Sequence, residues 1–83
     1  MYYIYAIRSL KDGRIYVGLS QNVTRRVQGH NSGEVFSTKG YRPWKLIFTE
    51  ACGTNRAIAR KKEKYYKAGS GKEKIKSFIY NPE

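Results

Sequence analysis

Tyr5, Tyr16, Arg26 and His30 carry groups suited to phosphate chemistry: two phenolic hydroxyls, a guanidinium whose forked donors match phosphoryl oxygens, and an imidazole. Val23, Arg26, Val27 and His30 stand at i, i+3, i+4 and i+7, the spacing of one helical face. The cation and the imidazole thus share a face with two valines, while Arg25 points roughly the other way. Set beside a hydroxyl-rich sheet, such a face makes a site for a phosphate. Taken alone, the same residues also describe an arginine snorkelling past a core and a satisfied structural histidine, and on spacing by itself that plainer reading has the better claim.

Two strands and a turn must position the tyrosines. Asp12-Gly13 between two aromatic and β-branched runs is a strong hairpin signal, which predicts strands near 2–9 and 14–20. A two-residue loop sets Ser9 opposite Tyr16 and Tyr5 opposite Ser20. Alternation then sorts the side chains. One face holds Ile4, Ala6, Ile15, Val17 and Leu19, with Tyr2 at its end, and reads as the core face. The other holds Tyr3, Tyr5, Ile7, Ser9, Tyr16, Gly18 and Ser20. In that register Tyr5 and Tyr16 lie about four residues apart along the ladder, or ~13 Å between backbones.

Asn22 can cap the helix that follows, and Gly33 suits its exit. Residues 32–43 read as a loop, with Lys39 and Arg42 as its charges; a loop this long in a small domain is often functional. Residues 44–51 alternate as a third strand, with Trp44, Leu46 and Phe48 on one face. Thr54 is then expected to cap a helix reaching about Ala68, with Ile58, Tyr65 and Ala57 as its apolar stripe and Tyr66 and Ala59 at the border. That helix is intensely basic, yet it holds one carboxylate, Glu63, just outside Ala59. On spacing alone Glu63 pairs with Lys67 at i+4 and Arg60 at i−3. Ser70 to Glu73 has the S-x-x-E form of a capping box, before a third helix that buries Ile75, Phe78 and Ile79.

The chain has 83 residues, which bounds it to a single domain, 1–83, whose folding buries perhaps ~60–65% of the unfolded surface. Its formal charge of +11, from 17 Lys and Arg against 6 Asp and Glu, points to a polyanion. Nucleic acid is the default partner. A membrane surface is the weaker competitor, because no basic stretch carries a broad, purely apolar face. No apolar run approaches the ~20 residues of a transmembrane helix, and the start lacks a signal peptide's apolar core. Cys52 is alone, so no internal disulfide forms. These features suit a reducing, intracellular setting, the cytoplasm or its nucleoid.

Tyr3-Ile4-Tyr5, followed eleven residues later by Tyr16-Val17-Gly18, resembles the two half-motifs of the GIY-YIG nuclease superfamily. RRVQGHNSG is similar to that family's helix, with Arg26 and His30 at the matching positions. ARKKEKYYKAGSGKEKIKSFI is similar to the later helices of its small stand-alone bacterial members, and there Glu63 falls on the metal-ligand position. Tyr3 replaces the motif's first glycine, and Lys62 stands where arginine commonly precedes the glutamate; neither change removes a functional side chain. Asn81 lies further beyond Glu63 than the asparagine some members place near the site.

The resemblance implies an α+β fold, a small three-stranded antiparallel sheet flanked by about three helices, and metal-dependent endonuclease cleavage of DNA. Tyr16 would position or deprotonate the water, though an unperturbed tyrosine, pKa about 10, is a poor base near neutrality. Tyr5 would orient it or share the proton, Arg26 would brace the phosphate, and His30 would relay a proton or hold the phosphate. Glu63 would be the protein carboxylate on one Mg²⁺ or Mn²⁺ that otherwise keeps its waters. Arg25, Lys39, Arg42, Arg60, Lys64 and Lys67 are expected to meet the nucleic-acid backbone. With no sequence-reading module in view, a targeting protein, a second copy or a DNA structure would supply stricter specificity. The alternative is a non-catalytic nucleic-acid-binding module of the same fold, which has no need of a lone carboxylate in a cationic helix.

Overall fold

The computed structural model describes residues 1–80, with side chains to Ser77. In chain order the elements are β1 (Tyr3–Ser9), β2 (Ile15–Ser20), α1 (Val23–Ser32), α2 (Phe36–Lys39), β3 (Trp44–Ala51), α3 (Arg56–Lys67) and α4 (Gly69–Tyr80). The strands form one antiparallel sheet in the order β2-β1-β3. The fold is α+β, with four helices where about three were expected. The burial expected of Phe78 and Ile79, and any role of Asn81, lie outside the described residues.

The hairpin loop is longer than Asp12-Gly13 predicts. Tyr3 pairs with Ser20, Tyr5 with Gly18 and Arg8 with Ile15, so residues 10–13 form the loop. Ser9 explains the extra length: its hydroxyl accepts from the amides of Lys11 and Asp12 at 3.1 and 3.2 Å, and donates to the Tyr41 carbonyl at 2.7 Å. Gly13, with φ of 82°, closes the turn. The register moves by two residues, so each side chain stays on its predicted face. Tyr5 and Tyr16 become diagonal neighbours, with ring centroids 6.4 Å apart rather than the separation expected from the shorter loop.

Both faces of the sheet are buried, not only the apolar one. Ile4, Ala6 and Val17 pack with Cys52, with Ala59 and Tyr66 of α3 and with Ile75 of α4. Tyr5, Ile7 and Trp44 pack beneath Val23 and Val27 of α1. Ile4, Tyr5, Ala6 and Ile7 of the central strand are all fully buried, and burial of each of the two isoleucines contributes about 1.5–3 kcal/mol. In β3, Ala6 opposes Phe48 while Ile7 opposes Leu46, which makes Ile47 a bulge. The bulge breaks the expected common face: Trp44 goes under α1, and Phe48 joins the α3 and α4 side.

α1 starts and stops as expected. The Asn22 side chain accepts from the Arg25 amide, and Gly33 leaves the helix with φ of 85°. α3 departs from expectation. Its cap is Asn55, which accepts from Ala57 and Ile58, and its buried residues are Ala59, Glu63 and Tyr66. Ile58 and Tyr65 point outward. Tyr66 goes in because its hydroxyl finds Glu50 on β3, whereas small Ala59 lets the helix approach the sheet. No capping box forms at Ser70, since α4 already begins at Gly69. Gly71 serves another purpose: a Cβ there would lie 2.2 Å from the Tyr65 carbonyl, so only glycine lets α4 cross α3 this closely.

Candidate active site at the β2 edge

β2 is an edge strand with α3 packed on one face, while on the other face α1 lies over β1 and β3 and reaches β2 through His30, whose ring centroid is 4.9 Å from that of Tyr16. Between the two helices lies a polar recess of about 330 Å³, lined among others by Tyr16, Gly18, Arg26, Arg56, Arg60 and Glu63. Three elements thus deliver a phenol, a guanidinium and a carboxylate to one space. Arg26 is solvent-exposed on α1, and Val23 and Val27 of the same face anchor the helix below it. Glu63 reaches the recess from the opposite layer, at the margin of the core, where it is 8% exposed.

Tyr5 lies beneath the recess. Its ring crosses directly over Gly18, where a Cβ would sit 2.5 Å from the phenolic oxygen. The glycine in Tyr16-Val17-Gly18 is therefore a spatial requirement. The Tyr5 hydroxyl and His30 Nε2 are 2.8 Å apart, and His30 Nδ1 and Thr38 Oγ1 are also 2.8 Å apart. Thr38 donates its own proton to the Val35 carbonyl at 3.3 Å. It therefore accepts from Nδ1–H, which leaves Nε2 to accept from Tyr5. His30 and Thr38 are both buried, so this chain is shielded from water. Trp44 completes the support. Its indole donates to the Thr38 carbonyl at 2.9 Å, while Asn31 clasps the Trp44 backbone through both its amide groups.

Burial, then the neighbouring Tyr16, push the Tyr5 hydroxyl up to about 12, with the Arg26 guanidinium pulling the other way. Tyr5 holds its proton at neutral pH. Burial first, then the Arg26 cation, hold His30 below its ordinary value, which matches a neutral ring with one donor and one acceptor nitrogen.

The binding residues expected from sequence divide. Arg60 lines the recess, and it shares an adjoining cavity of about 320 Å³ with Glu63, Lys64 and Lys67. Arg25 does not line the recess; it lines an adjoining cavity of about 300 Å³, with Asn22 and Glu34, that shares Arg26, Ser20 and Gln21 with the recess. Lys39 lies over the Phe36 ring and Arg42 donates to the Lys39 carbonyl, and neither lines the recess. Sequence reading missed Thr38, which sits in a segment read as loop, and Arg56. A β-branched hydroxyl eight residues after the histidine was the available signal for Thr38.

Glu63 makes the two ion pairs that its spacing predicts, with Arg60 at 3.3 Å and Lys67 at 3.2 Å. Both cations are at least half exposed and free to swing away. Among the described residues no three His, Cys, Asp or Glu side chains gather to cage an ion. A lone carboxylate in an open recess fits a cation that keeps most of its water, as Mg²⁺ does, and does not fit one that demands several protein ligands.

A mixed sheet-and-helix domain with a tyrosine, an arginine and a glutamate converging at a strand edge matches a known class. Residues 1–76 match the model of the GIY-YIG catalytic domain, and the chain belongs to the GIY-YIG family. Within it, the chain is 35% identical to a UPF0213 protein of Syntrophus aciditrophicus, over 98% of this chain and 93% of that one. It is 34% identical to a UPF0213 protein of Staphylococcus saprophyticus, over 90% of each. A shorter match, 37% identical over 51 residues, is to the human structure-specific endonuclease subunit SLX1; it covers 57% of this chain and 18% of that protein. The solution structure of a UPF0213 protein from Bacillus halodurans shares the fold, with a TM-score of 0.53 and 30% identity over 94% of this chain and 85% of that one. No helix among the described residues is long and apolar enough to cross a membrane.

Proposed function

We propose that this chain is a metal-dependent endonuclease that hydrolyses DNA phosphodiesters at the β2-edge recess. The observation that carries this reading is the convergence of Tyr16, Arg26 and Glu63 from three elements on one recess, above a buried Tyr5, His30 and Thr38 chain. Tyr16, once its phenol has given its own proton to solvent, orients the attacking water and takes that water's proton as the new P–O bond forms and the P–O bond to the leaving alkoxide breaks. The alkoxide then takes a proton from water. Arg26 spans the phosphoryl oxygens as their charge grows in the transition state. Tyr5, held protonated by burial, gives its one O–H to His30 Nε2 and packs beneath Tyr16, so it steadies the Tyr16 ring rather than touching the phosphate. His30 acts through Tyr5: its ring is fully buried and both nitrogens have protein partners, so it orients and polarises the phenol rather than touching substrate. Glu63 holds one Mg²⁺ or Mn²⁺, which when bound supplies positive charge to the phosphoryl oxygens and the departing alkoxide.

Arg56, Arg60, Lys64 and Lys67 beside the recess bind the backbone without reading sequence. Targeting then comes from DNA structure, from a partner protein or from a second copy, in keeping with the structure-specific relative. The competing reading, a binding module without catalysis, rests on the two ion pairs of Glu63. A screen of branched, flapped and linear DNA and of RNA, with and without Mg²⁺, separates the two. Cleavage only with the metal supports the nuclease; binding of every substrate with no cleavage under either condition supports the module.

A further inference from the structure

α3 presents two basic flanks that differ in kind. The flank toward the recess carries Arg56, Arg60, Lys64 and Lys67 and no aromatic ring. The opposite flank carries Ile58, Lys61, Lys62 and Tyr65 and faces Lys74 of α4 across a groove of about 450 Å³, closed at its floor by Glu50 and Tyr66. Ile58 is 52% exposed and Tyr65 48% exposed, although an isoleucine and a tyrosine on a helix that packs against a sheet ordinarily turn inward. Tyr66 already takes the inward place, with its ring against Phe48, so Tyr65 is free of that duty. The Tyr65 ring is held edge-on to Tyr66, centroids 5.1 Å apart at 73°, which steadies it while leaving surface toward solvent.

The groove's one carboxylate is already neutralised. Lys62 Nζ meets Glu50 Oε2 at 2.8 Å, and the Tyr66 hydroxyl donates to Oε1. Hydrogen bonds from Lys62 and then Tyr66 hold the Glu50 carboxyl below its ordinary value, so it stays ionised and paired. Lys61 and Lys74 make no ion pair among those seen in the described residues. What remains facing outward is an aromatic face flanked by Lys61 and by Lys74, whose ammonium lies over the Tyr66 ring at 5.8 Å without a hydrogen-bonded carboxylate of its own among the described residues. The charge suits a polyanion, and the ring suits something that can stack.

We propose that the groove between α3 and α4 is a second nucleic-acid site, one that takes an unpaired strand, with the Tyr65 ring stacked on a base and Lys61 and Lys74 on the flanking phosphates. Bases within a duplex already stack on their neighbours, so only an unpaired base can use this ring. The lysine-and-arginine flank, by contrast, serves any backbone. The two flanks are separated by one helix, about 10–12 Å across, so a substrate that changes from duplex to single strand spans both. The proposal rests on nucleic acid being the partner in the preceding reading, but not on cleavage.

Fluorescence anisotropy without divalent metal tests it, using a short labelled oligo(dT), a blunt duplex and the same duplex with an oligo(dT) tail. Wild-type protein is expected to prefer the tailed duplex to the blunt one. Tyr65→Ala should weaken oligo(dT) and tailed-duplex binding by roughly 5- to 100-fold, the loss of one base stack, while leaving the blunt duplex unchanged. Tyr65→Phe, which keeps the ring and its packing, should retain the preference. Lys61→Gln and Lys74→Gln should weaken oligo(dT) and reduce the salt dependence of its binding. Unchanged oligo(dT) binding by Tyr65→Ala, or equal weakening on the blunt duplex, overturns the proposal. So does light scattering that shows a wild-type dimer split by Tyr65→Ala, since the face then joins two copies. A Tyr65-dependent preference in a protein that cuts nothing would uphold this site and sink the nuclease reading.

Discussion

The two faces of the sheet bury similar numbers of side chains by different chemistry. Under α3 and α4, Ile4, Ala6, Val17, Ala59 and Ile75 form an apolar core that directional bonds do little to shape. Under α1, Tyr5, Ser9, His30 and Thr38 are buried with every polar group given a partner. An apolar face supplies stability and tolerates repacking, whereas a hydrogen-bonded face fixes where each oxygen and nitrogen lies. The recess sits where the ordered face meets the β2 edge. Glu63 comes to it from the apolar side, with Arg56 and Arg60 of the same helix.

Substitutions should respect that division. The largest effect is expected at Arg26: Arg26→Ala should lower the cleavage rate by on the order of 100-fold or more, as loss of a preorganised cation typically does. Arg25→Ala should cost far less, because Arg26 lines the recess and Arg25 does not. Single-turnover kinetics on the same substrate compare them, and equal losses would mean that both act only as backbone contacts. On the other face, Ile75→Ala should cost about 2–5 kcal/mol in urea unfolding by opening a cavity among fully buried neighbours. Its turnover per folded molecule should be unaltered. A lower turnover in folded Ile75→Ala would erase the distinction between the faces.

Thr38→Val sharpens it from the ordered side. The change leaves the His30 Nδ1–H without its acceptor, a loss of about 1–3 kcal/mol, and frees the ring to take the other tautomer. Activity should fall by more than the folded fraction does, and Thr38→Ser should restore both.

The smallest effect concerns pH. Folded His30 titrates below its unfolded value of about 6.5, so the unfolded chain binds the extra proton. The stability present above that pH is lost as pH falls through it toward the folded value. Urea midpoints measured from pH 7.5 to 5.5 should fall in the wild type and fall less in His30→Gln; parallel curves would show that the ring is not held neutral.

Legibility in the sequence followed the range of the interactions. Asn22, Gly33 and the Val23, Arg26, Val27 and His30 spacing were readable because caps and helical faces depend on residues within two turns. The face assignment of the hairpin survived even though the loop did not, since a two-residue shift preserves alternation. Failures came where a distant partner decided the outcome. Ser9 lengthens the loop through the Tyr41 carbonyl, Ile47 bulges against β1, and Tyr66 rather than Tyr65 turns inward because Glu50 waits on β3. The apparent capping box at Ser70 lost to a glycine needed for helix crossing. The candidate site was legible as residue types, and its construction was not: Thr38 behind His30, and Gly18 as the clearance for Tyr5, depend on contacts across the fold.

The central claim, that Glu63 is a metal ligand as well as an ion-pair partner, is tested most directly by measuring cleavage and DNA binding together for Glu63→Ala at a fixed Mg²⁺ concentration. Removing a carboxylate that faces a polyanion should leave binding intact or tighter while abolishing cleavage, with thermal unfolding little changed. Cleavage at the wild-type rate would assign Glu63 to its salt bridges with Arg60 and Lys67 and contradict the account.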